Sequence, residues 1–237
     1  MTVTHQLPLD LSHPTSFDLV DFIVSPSNRS AFDLVARWPD WPSHAAALVG
    51  PSGCGKSHLA ACWLKICSGV SFVAGMAATD VPPGVSVLVE DADILVEGAG
   101  GRAAEDEATS LFHLFNWTRE TGAHLMLTAR SAPTLWRCDL PDLRSRLATI
   151  PVTEIGAPDD DLLRMIVTKL FSDRQLQVDP SVIDYILVRM ERSFAGARRL
   201  VSAMDRRALA SRRDLTRALA RECLDEDRGD DRAEGRE

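Results

Sequence analysis

The chain has 237 residues, enough for one sizeable core or for a main domain with a small appendage. Apolar residues make up 45% and charged residues 25%, as in an ordinary soluble globular protein. The net charge of −8 argues against a sequence-indifferent DNA-binding surface, which runs on phosphate neutralisation by Lys and Arg. The five cysteines (Cys54, Cys62, Cys67, Cys138, Cys223) form no C-x-x-C pair and no metal-type spacing with histidine, so they read as reduced thiols. No basic-then-apolar leader opens the chain, and no apolar run approaches the roughly 18 residues that span a membrane. The expected location is cytoplasmic.

Residues 1–15 hold two prolines and little apolar material and read as an extended, flexible tail. Helical spacing follows over 28–38, ended by Pro39 and Pro42. An apolar run at 45–49 reads as a strand leading into a glycine loop, and 57–66 as the helix after it. Further strands are expected at 70–74, 85–89 and 124–128, and a fifth at 149–152. A helix over 103–121 carries acids in its first turn and the stripe Leu111, Leu114, Phe115, Thr118. Strands alternating with helices predict a parallel sheet covered on both faces, an α/β fold over 16–157. After Pro158 the strands stop. Helical spacing over 159–173, 180–190, 194–210 and 215–224 predicts a small helical domain over 158–224, and the acidic residues 225–237 read as a solvated, disordered tail.

The loop Gly50-Pro51-Ser52-Gly53-Cys54-Gly55-Lys56-Ser57 is a full Walker A sequence between a strand and a helix, the context the motif requires. Its glycines let the backbone wrap phosphate oxygens while the helix N-terminus faces the same anion. Lys56 is expected on the β- and γ-phosphates of ATP or ADP and Ser57 on Mg²⁺. The strand Val85-Ser86-Val87-Leu88-Val89 ends in Glu90-Asp91, in the place of a Walker B acid pair. Either Glu90 takes the metal-side role with one extra methylene, or the register slips and Asp91 does. Thr128, at the end of another strand, either senses the γ-phosphate or simply terminates the strand. Arg144 and Arg146 lie just before the last strand, where an arginine either reaches a neighbouring subunit's ATP or is an ordinary surface charge. In Gln6-Leu7-Pro8-Leu9-Asp10-Leu11, extended backbone would put Leu7, Leu9 and Leu11 on one side; the alternative is a tail with incidental leucines.

Taken together these residues resemble the DnaA group of AAA+ proteins, bacterial replication initiators and their shortened relatives. The match covers about residues 16–224. It begins at Ser16-Phe17-Asp18, Asp21-Phe22-Ile23-Val24 and Ser27-Asn28, similar to the family's lead-in segment beside the adenine. It continues through the Walker A loop, 87–91, Leu127-Thr128-Ala129-Arg130 and 140–147 in family order. The resemblance implies an AAA+ P-loop domain followed by a helical lid. The chain stops after the lid helices, where the initiator has its helix-turn-helix domain, and it carries a glutamine-leucine tail similar to peptides that dock on the DNA polymerase III sliding clamp (beta subunit). That combination resembles the Hda type (HdaA in α-proteobacteria), regulatory inactivators that, on the clamp, make DnaA hydrolyse its ATP. What this implies is clamp binding by Gln6, Leu7, Leu9 and Leu11, nucleotide binding by the Walker loop, a trans-acting finger at Arg146, DNA contact that is indirect or weak, and weak intrinsic ATPase. A homo-oligomer is compatible with it, and so is a loader-like or recruiting AAA+ role. The family's second sensor arginine falls on Ala195, so Arg198 or Arg199 substitutes one turn on or the contact is lost.

Overall fold

The computed structural model describes residues 18–98, 102–211 and 213–234; the side chains of Asp21, Arg102 and 227–234 are not described. The chain divides between Ala157 and Pro158 into two compact units. Among the described residues no helix is long and apolar enough to cross a membrane.

The first unit is built on five parallel strands in the order β2-β3-β4-β1-β5: β1 (Ala45–Val49), β2 (Val70–Phe72), β3 (Val87–Val89), β4 (Leu125–Ala129) and β5 (Val152–Glu154). Every residue of β1, β3 and β4 is buried, because parallel strands are covered on both faces. Side-chain alternation sorts them. Ala45, Ala47 and Val49 of β1 join Leu125 and Leu127 of β4 in one core, against α4 (Arg102–Thr121) and α5 (Pro141–Leu147). Leu48, Met126 and Leu88 face the other way, into a core with α1 (Arg29–Ala36) and Leu59, Ala60 and Trp63 of α2 (Lys56–Cys67).

Two details of this unit depart from the sequence expectations. A six-residue helix, α3 (Ala92–Glu97), follows β3 where none was expected. Its apolar run Ile94-Leu95-Val96 reads like strand, but Asp91 turns left-handed (φ 46°, ψ 47°) and breaks the extended path. The fifth strand begins at Val152, where the expected one ended. Thr149 and Ile150 belong to the turn leaving α5: their amides donate to Arg146 O and Leu147 O, and buried Ile150 fills the core. The Ala47 amide donates to Pro151 O, so pairing with β1 starts only there.

The second unit is helical: α6 (Asp160–Asp173), α7 (Pro180–Leu187), α8 (Phe194–Ser211) and α9 (Arg217–Glu234). Leu163, Val167, Phe171, Ile186, Leu200 and Met204 are among the residues of its core. Asp159 and Asp179 cap α6 and α7 by accepting the amides of Leu162 and Ser181 at 2.8 Å. The α9 backbone stays helical to Glu234, through most of the stretch read as a disordered tail. Lacking large apolar residues, 225–234 can be both helical and solvated.

Candidate nucleotide-binding site

β1 delivers the Walker loop at its carboxyl end, where the Gly50 amide donates to Ala129 O of β4 at 3.2 Å. A Cβ on Gly50 would lie 2.3 Å from Ile155 O, so the loop's approach to the chain after β5 demands glycine. Gly53 (φ 72°) and Gly55 (φ 103°) are left-handed, and Gly55 stands as the N-cap of α2 without a side-chain cap. The loop thus turns back on itself and leaves the first amides of a twelve-residue helix without a capping side chain, an arrangement that suits an anion.

Lys56 is only 7% exposed. Its ammonium donates to Gly50 O at 2.8 Å and Pro51 O at 2.9 Å, so it lies along the loop it is expected to serve. Cys54, buried at the loop's base, packs into the core with Leu59 and Ala60. Burial pushes its thiol above the usual range, against the pull of the Lys56 charge. Ser57 is exposed in the first turn of α2.

The strand order brings the other candidates to the same end of the sheet. Glu90 and Asp91 follow β3 directly, and both are exposed. Thr128 of β4 is buried, and its hydroxyl oxygen accepts the Asp91 amide at 3.0 Å. The threonine therefore fixes where the acid pair stands. A third acid, Asp93, escaped the sequence reading. It is 7% exposed, and its Oδ2 accepts the Arg130 amide at 3.0 Å. Its Oδ1 is buried with no hydrogen-bond partner among the described residues. The only signal in the sequence was Glu90-Asp91-Ala92-Asp93, an acid two beyond the pair.

The lead-in segment folds against α1 and α2. Phe22 stacks on Phe32 and His58 with centroids 6.0 and 5.8 Å apart. Buried Asn28 ties the turn by accepting the Ser25 amide and donating to Ile23 O. Arg144 is exposed and Arg146 half-buried on α5. In the helical unit Ala195 and Arg198 are exposed in the first two turns of α8, and Arg199 pairs with Glu191. Glu191 is held below the usual carboxylate range by the Ser193 hydroxyl and then by Arg199. Gln6, Leu7, Leu9 and Leu11 lie outside the described residues.

The solved domain III of the replication initiator DnaA from Thermotoga maritima superposes with a TM-score of 0.72 at 14% identity, covering 89% of this chain and 96% of that one. The fold is that of a DnaA-like AAA+ protein. AMPPCP-bound DnaA from Aquifex aeolicus superposes with a TM-score of 0.63 at 18% identity, over 81% of this chain and 65% of that one. In sequence, the chain is 29% identical over 111 residues to the chromosomal replication initiator DnaA of Bacteroides thetaiotaomicron. That match takes in 47% of this chain and 24% of the initiator, so the chain spans about a quarter of that relative's length. No protein-family model matches the chain.

Proposed function

We propose that the protein is an adenine-nucleotide-binding regulator of replication initiation that, docked on the sliding clamp, stimulates hydrolysis of ATP on DnaA and so prevents over-initiation. The observation that carries the nucleotide part is the Walker loop itself. Two left-handed glycines, an uncapped helix N-terminus and a buried lysine converge on one small volume at the end of β1. Among the described residues the lysine there donates to the backbone carbonyls of Gly50 and Pro51, which phosphate oxygens can replace.

ATP or ADP fits this loop, with Lys56 on the phosphates and the backbone of 50–57 around them. Ser57 and the Glu90-Asp91 pair would supply oxygen donors, the kind a hard divalent cation takes. Mg²⁺ held there would neutralise phosphate charge. Thr128 acts on this acid pair by holding the Asp91 amide, and Asp93 fixes the segment after β4 by holding the Arg130 amide.

The regulatory part rests on the likeness to initiators and on Arg146. A half-buried arginine with its neighbour Arg144 on a short surface helix can present a guanidinium to a partner's transferring phosphoryl group. Clamp docking is assigned to Gln6, Leu7, Leu9 and Leu11, and Arg198 is the candidate for the second sensor. The test follows ATP bound to DnaA in the presence of this protein, loaded clamp and DNA, with each omitted in turn. Hydrolysis that needs all components supports the reading; hydrolysis indifferent to this protein overturns it.

A further inference from the structure

After β4 the chain forms a loop over residues 130–138 before entering α5, and the loop is braced at three points. Asp93 Oδ2 accepts the Arg130 amide at 3.0 Å, and Glu97 Oε1 accepts the Arg137 amide at 2.9 Å. Those carboxylates stand four apart on α3, so both ends of the loop are tied to one face of that helix. Between them Trp136, 5% exposed, sits in the core, and its indole donates to Ser131 O at 2.9 Å. What this frame presents to solvent is Leu135, 72% exposed at the end of the single 3₁₀ turn Pro133–Leu135. The turn packs against α5, the helix of Arg144 and Arg146. Arg130 and Arg137 are exposed, and among the described residues neither guanidinium has an ion pair or hydrogen bond. Apart from Lys65–Asp18, the ion pairs among the described residues all lie in the helical unit.

We propose that Leu135 is the anchor by which this protein docks on ATP-bound DnaA, entering an apolar pocket whose acidic rim meets Arg130 and Arg137. The assignment rests on the regulatory reading above and adds the surface that brings Arg146 to its partner. A single exposed leucine is ordinary on a protein surface. This one is carried on a braced loop, so little conformational freedom is left to lose on binding. Arginine beside an apolar centre is the make-up of a protein interface, and the unpaired guanidiniums favour a partner of opposite charge. Nucleic acid fits less well. Trp136, the one aromatic residue in 130–138, is buried and offers no base a ring to stack on, and phosphates would leave Leu135 in water.

The test uses the full chain with DnaA-ATP, loaded clamp and DNA. Hydrolysis followed against the concentration of this protein gives a half-maximal concentration and a plateau, and sedimentation of labelled DnaA measures binding without hydrolysis. Leu135→Asp is expected to raise the half-maximal concentration about tenfold or more, with the plateau unchanged. Leu135→Met should stay close to wild type, and Arg137→Ala should weaken binding a few-fold and lessen its dependence on salt. Arg146→Ala should do the reverse, losing the plateau and keeping the binding. Arg137→Ala carries the same test if the aspartate variant fails to fold. A folded Leu135→Asp that binds and stimulates at wild-type concentrations overturns the docking and leaves the regulatory reading standing. Binding that depends on Leu135 without any stimulation by the wild type supports the docking and overturns the regulatory reading. A lost plateau with unchanged binding, a defect seen only when DNA is present, or no binding of the wild type to DnaA would each overturn the docking.

Discussion

Replacing Lys56 by alanine separates nucleotide binding from folding, because its own bonds in the structure are easily replaced. The ammonium donates to Gly50 O and Pro51 O. Gly50 is half-buried and Pro51 exposed, so water can take over those acceptors. The cost to the unliganded fold is then about 1 kcal/mol or less. With nucleotide bound, the same ammonium gives charge-assisted bonds to phosphate oxygens, worth roughly 1.5–3 kcal/mol. The variant should therefore bind ADP and a non-hydrolysable ATP analogue about 10- to 150-fold more weakly. Thermodynamic linkage offers a second reading of the same number. At ligand near 100 times the wild-type Kd, nucleotide should stabilise the wild type by about 2.7 kcal/mol and a 100-fold weakened variant by about 0.4. Calorimetric titration gives the affinities, and urea unfolding with and without nucleotide gives the stabilities. Wild-type ADP affinity in a folded variant would refute the assignment of the loop. A loss of unliganded stability as large as the loss of binding would refute the claim that the lysine serves the ligand.

Three further outcomes follow from the geometry. Arg146→Ala should keep its fold and its own ADP affinity yet lose stimulation of DnaA-bound ATP hydrolysis by roughly 10³-fold or more, while Arg144→Ala is milder; normal stimulation by both variants would remove the trans-acting role. Thr128→Val leaves the Asp91 amide without its acceptor and should lower stability by about 1–2 kcal/mol in urea unfolding; an unchanged midpoint would mean that bond contributes nothing. Burial holds His44 and His124 below their ordinary value of 6.5, with Arg119 adding to it at His44. The unfolded chain then binds the extra protons, so this contribution is fully present above pH 6.5 and is lost as pH falls through the lower folded values. Thermal unfolding between pH 7.5 and 5 should show that decline, and His44→Phe together with His124→Phe should flatten it; the same decline in the double variant would place its origin elsewhere.

The α/β-then-helical order was legible because parallel strands buried on both faces are continuous apolar runs, and helices after Pro158 repeat at another period. The Walker loop was legible because its glycines and lysine are contiguous. What escaped depends on tertiary context. Asp91 adopts a left-handed conformation that no local pattern announces, and with it α3 was invisible. Asp93 matters because β4 brings the Arg130 amide to it from 37 positions away. Thr128 looked like either a sensor or a strand end, and only the distance to the Asp91 amide gives it a definite task. The shift of the fifth strand has the same root, since the pairing of Val152 is set by Ala47 on a strand a hundred residues earlier.

The two ties between neighbouring strand ends, Thr128 to the Asp91 amide and Asp93 to the Arg130 amide, run in opposite directions across the same gap. A hydroxyl on β4 holds the backbone after β3, and a carboxylate after β3 holds the backbone after β4. Displacing either segment alone breaks both bonds, so the two behave as a clasp and move together. Binding defects from substitutions at Thr128 are therefore ambiguous by construction: a lost phosphate contact and a displaced acid pair would weaken the same site. Thr128→Ser separates the hydroxyl from the methyl, since it retains the oxygen that holds Asp91 while loosening the side chain's packing. A serine variant with wild-type behaviour beside a defective valine variant would leave the hydroxyl oxygen responsible, whichever group it serves. The position of the Asp91 amide resonance in each would then say whether the clasp had opened.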